Sequence, residues 1–345
     1  MNNGLDIQPN DRLLVSRTDR LGDLILALPF VESLKARYPR SRVDVLASLY
    51  ASPILENNKR IDGILRVQND MLSSSRNYCK DFAHKIKLAD YKAVVVLYPE
   101  RKVSRLLYRV GIPHRYGTAG RFHSVFFNHR LLHSRKANKK HESEYNLDFL
   151  KYFGDGPVVR TPAVYPTEKE LRNARRILDK AGIQNRFLVI HPGSGGSAER
   201  WPLERFVELT RELDRAGYQV LVTGSAEEGA LIDRGLEKAR TSVARITGQT
   251  DLRTLAAVLS LASAVVANST GPLHLAVAVG TRVVGLYPGI RVMSPVRWGP
   301  VGEGHVVIQP TATDPEGGAP PPSMSTIEVD QVMEAVRDVY GNAIR

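Results

Sequence analysis

Three short stretches of this chain concentrate residues able to bind or activate a polar ligand. The first is Arg17-Thr18-Asp19-Arg20-Leu21-Gly22-Asp23, which follows a β-rich run and leads straight into a helical pattern. Gly22 permits a tight turn or a close approach to a ligand. Asp23 stands at the helix entrance, where a carboxylate either caps the backbone or works as an acid or base. The second stretch is His191-Pro192-Gly193-Ser194-Gly195-Gly196-Ser197-Ala198-Glu199-Arg200-Trp201-Pro202. A Gly/Ser-rich loop ahead of a helix begun by Pro202 presents backbone N–H groups to a phosphate, and the helix dipole adds to the attraction. Ser194, Gly195, Gly196 and Ser197 are the candidates. The third is Asn268-Ser269-Thr270-Gly271-Pro272-Leu273-His274-Leu275-Ala276. Hydroxyl groups on Ser269 and Thr270, Gly271 and a helix start coincide there, which suits a pyrophosphate. His274 falls about one turn into that helix, as a ligand or as an ordinary packed histidine.

Regular elements must hold these loops. Leu13 to Arg17, Val43 to Ala47 and Ala93 to Tyr98 read as strands, and Leu24 to Tyr38 reads as one helix ended by Pro39. The second half repeats the alternation, with strands at Phe187 to His191, Gln219 to Thr223, Val243 to Ile246, Ala264 to Ala267 and Val283 to Tyr287. Helices near Leu203 to Ala216, Glu227 to Ala239, Leu252 to Leu261 and Pro272 to Val279 separate them. Alternation of this kind indicates parallel sheets covered on both faces. The expected fold is α/β, with two doubly wound Rossmann-like domains over residues 1–160 and 161–325 and a closing helix within 326–345 that could pack back on the first domain. The boundary falls near Pro157 to Thr167, where prolines accumulate. Pro310 to Ser323 should be a surface loop. In open α/β sheets ligands sit beyond the C-terminal ends of the strands, where all three loops lie.

The chain has 345 residues and is 43% hydrophobic, enough for two cores. Its apolar stretches fall short of the roughly 20 residues a membrane helix needs, and the N-terminus lacks the features of a signal peptide. A cytoplasmic location is expected. Cys79 is the single cysteine, which excludes an intrachain disulfide. The formal charge of +12 lies entirely in the first half, and Tyr98 to Lys140 holds eleven basic residues against Glu100 alone. Such a face attracts an anion or an anionic membrane, unless it is merely solvated. Arg101, Arg105 and Arg109 share one helical face at i, i+4, i+8, and with Arg20 they are the candidates for holding an anion.

Several rival signatures fail. Gly193 to Ala198 satisfies a loose dinucleotide pattern, but Pro202 starts the helix well past the glycines, and no acid ends the next strand at Val222-Thr223-Gly224. A Walker A sequence is missing. His129 and His133 have the i, i+4 spacing of a metal pair without an acidic companion, so neither metal nor cofactor is expected. Glu204 and Glu212 lie on an amphipathic pattern beside Arg205, Glu208 and Arg211 and read as a solvated face.

The three loops, in this order on two doubly wound domains, resemble glycosyltransferase family nine, the ADP-heptose:lipopolysaccharide heptosyltransferases. The resemblance rests on Leu21-Gly22-Asp23 followed by Leu26-Ala27-Leu28-Pro29, on His191-Pro192-Gly193 and Arg200-Trp201-Pro202, and on Thr270-Gly271-Pro272-Leu273-His274-Leu275-Ala276. Arg297-Trp298-Gly299-Pro300 and Met324-Ser325-Thr326-Ile327 complete it. It implies a GT-B architecture with a cleft between the domains, a nucleotide sugar on the second domain, and an anionic lipid-linked saccharide acceptor on the first. It also implies a metal-independent, inverting displacement in which Asp23 is the general base, with Glu227 at the nucleotide ribose and Glu228 the lesser candidate there. Peripheral contact with an anionic membrane fits the basic face, and nucleic acid is not an expected partner. Two positions depart from the family. Ser269 stands where an aspartate usually meets the donor, and Glu199 stands where a lysine commonly meets its phosphates, a role adjacent Arg200 could take. The alternatives are a glycosyltransferase or epimerase using another nucleotide sugar, and a catalytically silent carbohydrate-binding relative.

Overall fold

The computed structural model describes residues 5–120, 122–193, 199–310 and 322–341. The chain divides into two compact units, the first ending at Pro162 and the second beginning at Ala163. Each contains a six-stranded sheet. In the first, β1 (Arg12–Arg17), β2 (Arg42–Ser48), β3 (Gly63–Val67), β4 (Ala93–Val96), β5 (His114–Thr118) and β6 (His129–Leu131) are ordered β3-β2-β1-β4-β5-β6. In the second, β7 (Phe187–His191), β8 (Gln219–Val222), β9 (Ala244–Arg245), β10 (Ala264–Asn268), β11 (Val283–Leu286) and β12 (Val306–Ile308) are ordered β12-β11-β10-β7-β8-β9. Both orders are that of a doubly wound sheet, and every pairing is parallel. The strand order reverses between β1 and β4 in one unit and between β7 and β10 in the other, which opens a crevice past the strand ends at those points.

Continuous apolar runs build the central strands because both faces are covered. Leu14, Leu46, Val94 and Val96 pack against Phe82, Ile86, Leu106 and Leu107. In the second unit Ile190, Val222, Val266 and Leu286 pack against Phe206, Leu209, Leu213, Val332 and Val336. The last two belong to the closing helix Val329–Gly341, which is therefore part of the second unit's core. Trp201 is fully buried and donates its indole N–H to the Ile327 carbonyl at 3.0 Å, which ties the second loop to the chain just before that helix. The loop expected at Pro310 to Ser323 lies for the most part outside the described residues.

One expected helix is two. Leu21–Ile25 and Leu28–Arg37 replace the single helix read over Leu24 to Tyr38. Pro29 has no N–H for the Ile25 carbonyl, and its ring crowds that carbonyl, so the first helix stops and a second begins with the proline in its first turn. Among the described residues no helix is long and apolar enough to cross a membrane.

Candidate active site

The first-unit site lies just past the end of β1. Arg17, the last residue of that strand, is 1% exposed in its side chain, and three carboxylates surround it. Its Nε donates to Asp19 at 2.8 Å, one terminal nitrogen donates to Glu142 at 3.0 Å and to Asn146 at 3.2 Å, and the other donates to Asp23. Tyr98 lies under the guanidinium, with 5.5 Å from the central carbon to the ring centroid. Asp23 is the third residue of the short helix, whose N-cap is Arg20, so the capping role open to it from sequence is not the one it fills. Its side chain keeps 14% of its surface exposed. Burial pushes the Asp23 carboxyl up to about 6, the Arg17 charge opposes the rise, and the negative charges of Asp19 and Glu142 add to it. A carboxylate that takes up a proton near neutral pH while touching solvent has the character of a general base.

Arg20 is exposed beside Asp23. Arg101, Arg105 and Arg109 are exposed along the helix Arg101–Val110, whose Val103, Leu106 and Leu107 face the core. That helix begins near the Asp23 loop, because Thr18 donates to Glu100 at 3.2 Å. Tyr108 on this helix and Phe122 and Val125 beside it have exposed side chains, the Tyr108 and Phe126 rings being 5.6 Å apart. A further cavity of about 640 Å³, which no local spacing foretells, lies past β6 and is lined by Leu132, His133, Lys139, Lys140, Tyr145 and Lys151 among others. The helix Glu142–Leu147 turns Glu142 and Asn146 to Arg17, while Tyr145 faces this cavity. His129 and His133 lie on and beyond a strand, so their spacing is not one helical turn. His129 meets His114 at 3.1 Å, and burial holds the His133 imidazole down to about 4 and hence neutral.

In the second unit the loops after β7, β8, β10 and β11 converge. Asn268, fully buried at the end of β10, accepts the Trp201 backbone N–H at 2.9 Å and donates to the Pro192 carbonyl at 2.9 Å. One side chain thereby holds both shoulders of the glycine-rich loop. His191 bonds Thr223 at 2.9 Å, and burial pulls its imidazole down to about 4. Gly193 approaches Glu228 so closely that a Cβ would lie 2.2 Å from the carboxylate oxygen. Glu228 itself closes a capping box with Ser225 at the start of the helix Ala226–Lys238. Glu227 is exposed in the same first turn and has no such engagement.

Thr270 is the buried N-cap of the helix Gly271–Ala278, and Gly271 is its first residue. His274 is buried one turn in. Ser269 is half-buried and reaches Tyr287, whose phenol donates to the Trp298 carbonyl at 2.7 Å. Glu199 and Arg200 are both exposed. Ser194, Gly195, Gly196 and Ser197 lie outside the described residues.

The model of glycosyltransferase family 9 (heptosyltransferase) matches residues 79–316. A Haemophilus influenzae protein described as a glycosyltransferase is 27% identical over 342 residues, covering 94% of this chain and 96% of its own length. The lipopolysaccharide heptosyltransferase 3 of Escherichia coli is 26% identical over 275 residues, covering 77% of this chain and 80% of its own. Among solved structures, the E. coli ADP-heptose lps heptosyltransferase II superposes with a TM-score of 0.79 at 22% identity, covering 96% of this chain and 99% of that one, a likeness of fold. The two parallel sheets and this likeness define a fold of the GT-B class, and the family match makes the chain a glycosyltransferase enzyme. More particularly, the chain belongs to glycosyltransferase family 9 and is a glycosyltransferase of the lipopolysaccharide heptosyltransferase type.

Proposed function

We propose that the protein moves a heptose from ADP-heptose to an anionic, lipid-linked saccharide of the lipopolysaccharide core by an inverting, metal-independent displacement. Asp23 removes the proton of the acceptor hydroxyl, whose oxygen forms a bond to the anomeric carbon as the bond from that carbon to the diphosphate breaks. The charge developing on the nucleotide diphosphate is met by the N-terminus of the helix Gly271–Ala278 and by Arg200, with residues 194–197 assigned to the same phosphates from sequence. Glu227 takes the ribose, and the basic face with Arg20, Arg101, Arg105 and Arg109 takes the anionic acceptor or its membrane. The names of the E. coli relatives support the donor and acceptor classes.

The observation that carries this reading is the carboxyl of Asp23, poised at about 6 past the switch point of the first sheet. The deciding experiment is Asp23→Asn. Turnover should fall by roughly 10²–10⁴, the range for a lost general base, while the variant folds and donor affinity stays near that of the parent. A fully active variant refutes the role. Ser269 and Glu199 favour a second reading, in which the donor carries another sugar. Ser269→Asp should raise activity with ADP-heptose under the first reading and lower activity with the true donor under the second, both read by nucleotide release.

A further inference from the structure

We propose that Glu142, brought from a distant helix to the far side of Arg17, is the positioning residue that holds Asp23 ready to accept a proton, with Arg135 and Asn146 completing the device. The inference rests on the reading of Asp23 as the base. Glu142 is fully buried, and its single oxygen Oε1 accepts from Arg17 at 3.0 Å and from the Arg135 Nε at 3.1 Å. Asn146, one helical turn later, accepts from the same two guanidinium groups at 3.2 and 3.4 Å. Its amide donates to the Leu26 carbonyl at 3.0 Å, immediately past the short helix that carries Asp23. Arg135 is anchored in turn on the Leu97 carbonyl at 3.1 Å. The plane of Arg17 is therefore fixed along all its edges, and Asp23 is presented from one of them.

The charges explain what this achieves. Arg17 and Arg135 face Asp19, Asp23 and Glu142, so the ionised cluster holds one negative charge in excess, and a proton arriving on Asp23 neutralises it. Arg20 in the same loop is exposed, and Glu100 accepts from Thr18 and is repelled by the Asp19 charge. Glu142 acts twice. It shares the guanidinium that would otherwise serve Asp23 fully, and its own charge disfavours a second anion nearby. Arg135 gives the buried Glu142 carboxylate a second cationic partner. A buried ionic group of this kind adds little stability over a well-packed apolar one, so its presence points to control of charge.

The test is the pH dependence of kcat/KM in Glu142→Gln and Glu142→Asp, beside a titration of the Asp23 side-chain carbon by ¹³C NMR in protein labelled at aspartate. Glu142→Gln keeps the shape and removes the charge, so the acidic limb and the Asp23 resonance should both move down by about one pH unit or more. Glu142→Asp keeps the charge and should leave both near the parent values. An unmoved limb with evenly lowered turnover makes Glu142 merely structural and overturns the inference. Should the Gln variant not fold, Arg135→Gln decides: with that cation gone Glu142 draws on Arg17 alone, so the Asp23 resonance should move up, and an unmoved resonance overturns the device. Asp23→Asn separates the two ideas. If that variant is inactive and the Asp23 resonance ignores residue 142, the positioning role alone falls. If it is active while the resonance moves as stated, the coupling stands and Asp23 is not the base.

Discussion

Asp23→Asn should make the protein more stable at neutral pH, and the gain should vanish in acid. The carboxyl rises from an ordinary 3.8 to about 6 in the folded chain. Its folded value therefore lies above its unfolded one. The preference of the fold for a neutral group at this position is fully present below about pH 4 and is lost as pH rises through about 6. At about 1.36 kcal/mol per pH unit, keeping Asp23 ionised at pH 7.5 costs the wild type roughly 3 kcal/mol, a large share of the stability of an ordinary domain. Asparagine is neutral throughout and does not incur that cost. Urea unfolding of both proteins at intervals from pH 4.5 to 7.5 measures the effect, since the difference between them cancels every other titrating group. The advantage of the variant should grow from about 1 kcal/mol at pH 4.5 to about 3 kcal/mol at pH 7.5. Because Asp19 and Glu142 share the same guanidinium, the midpoint of the gain belongs to the cluster as a whole. A difference independent of pH, or one that grows toward acid, refutes the account of Asp23 as a desolvated carboxyl.

Two further predictions follow the charges. Reversing Arg101, Arg105 and Arg109 to Glu should weaken co-sedimentation with vesicles of anionic lipid, by about 1 kcal/mol for each charge removed, and wild-type binding should fall as salt rises. Salt-insensitive binding would exclude an electrostatic face. Glu170 provides the opposite sign to Asp23: its hydrogen bonds with Arg253, at 2.6 and 2.8 Å, draw its carboxyl down to about 2. The stability this supplies is present above about pH 4.5 and is lost as pH falls toward 2, and with solvent screening of this partly exposed pair Glu170→Gln should lower stability by about 1 kcal/mol at pH 7. An unchanged unfolding midpoint at pH 7 would contradict it.

The second unit was the more legible from sequence. Its central strands are unbroken apolar runs, and the helix Leu252–Leu261 and strand Phe187–His191 fall where periodicity puts them. In the first unit, β3, β5 and β6 escaped notice. His114-Arg115-Tyr116-Gly117-Thr118 and the three residues of β6 lie toward the sheet edge, where polar side chains are tolerated and the apolar signal fades. Pro29 was in plain view, yet apolar spacing masked the break it makes. The loops that carry chemistry stood out because glycine, proline and hydroxyl residues punctuate them. What they lean on did not. Glu142 meets Arg17 across 125 residues, and Asn268 crosses 67 and 76 residues to grip Trp201 and Pro192. Such partnerships are set by the crossing order of strands and leave no local spacing to read.

The close approach of Gly193 to Glu228 has a consequence for how these loops can vary. The space for a side chain at 193 is already taken by the carboxylate that caps the helix Ala226–Lys238. A methyl group there would have to displace that carboxylate, which gives up the bonds it accepts from the Ser225 N–H and hydroxyl, the reciprocal half of the capping box at the turn bearing Glu227. Positions 193 and 228 thus form one unit of inheritance. A larger residue at the first becomes tolerable when the second shortens, and the two substitutions together should be milder than their separate effects summed. The glycine of this His-Pro-Gly sequence is thus required by a neighbour thirty-five positions away, before any ligand is considered.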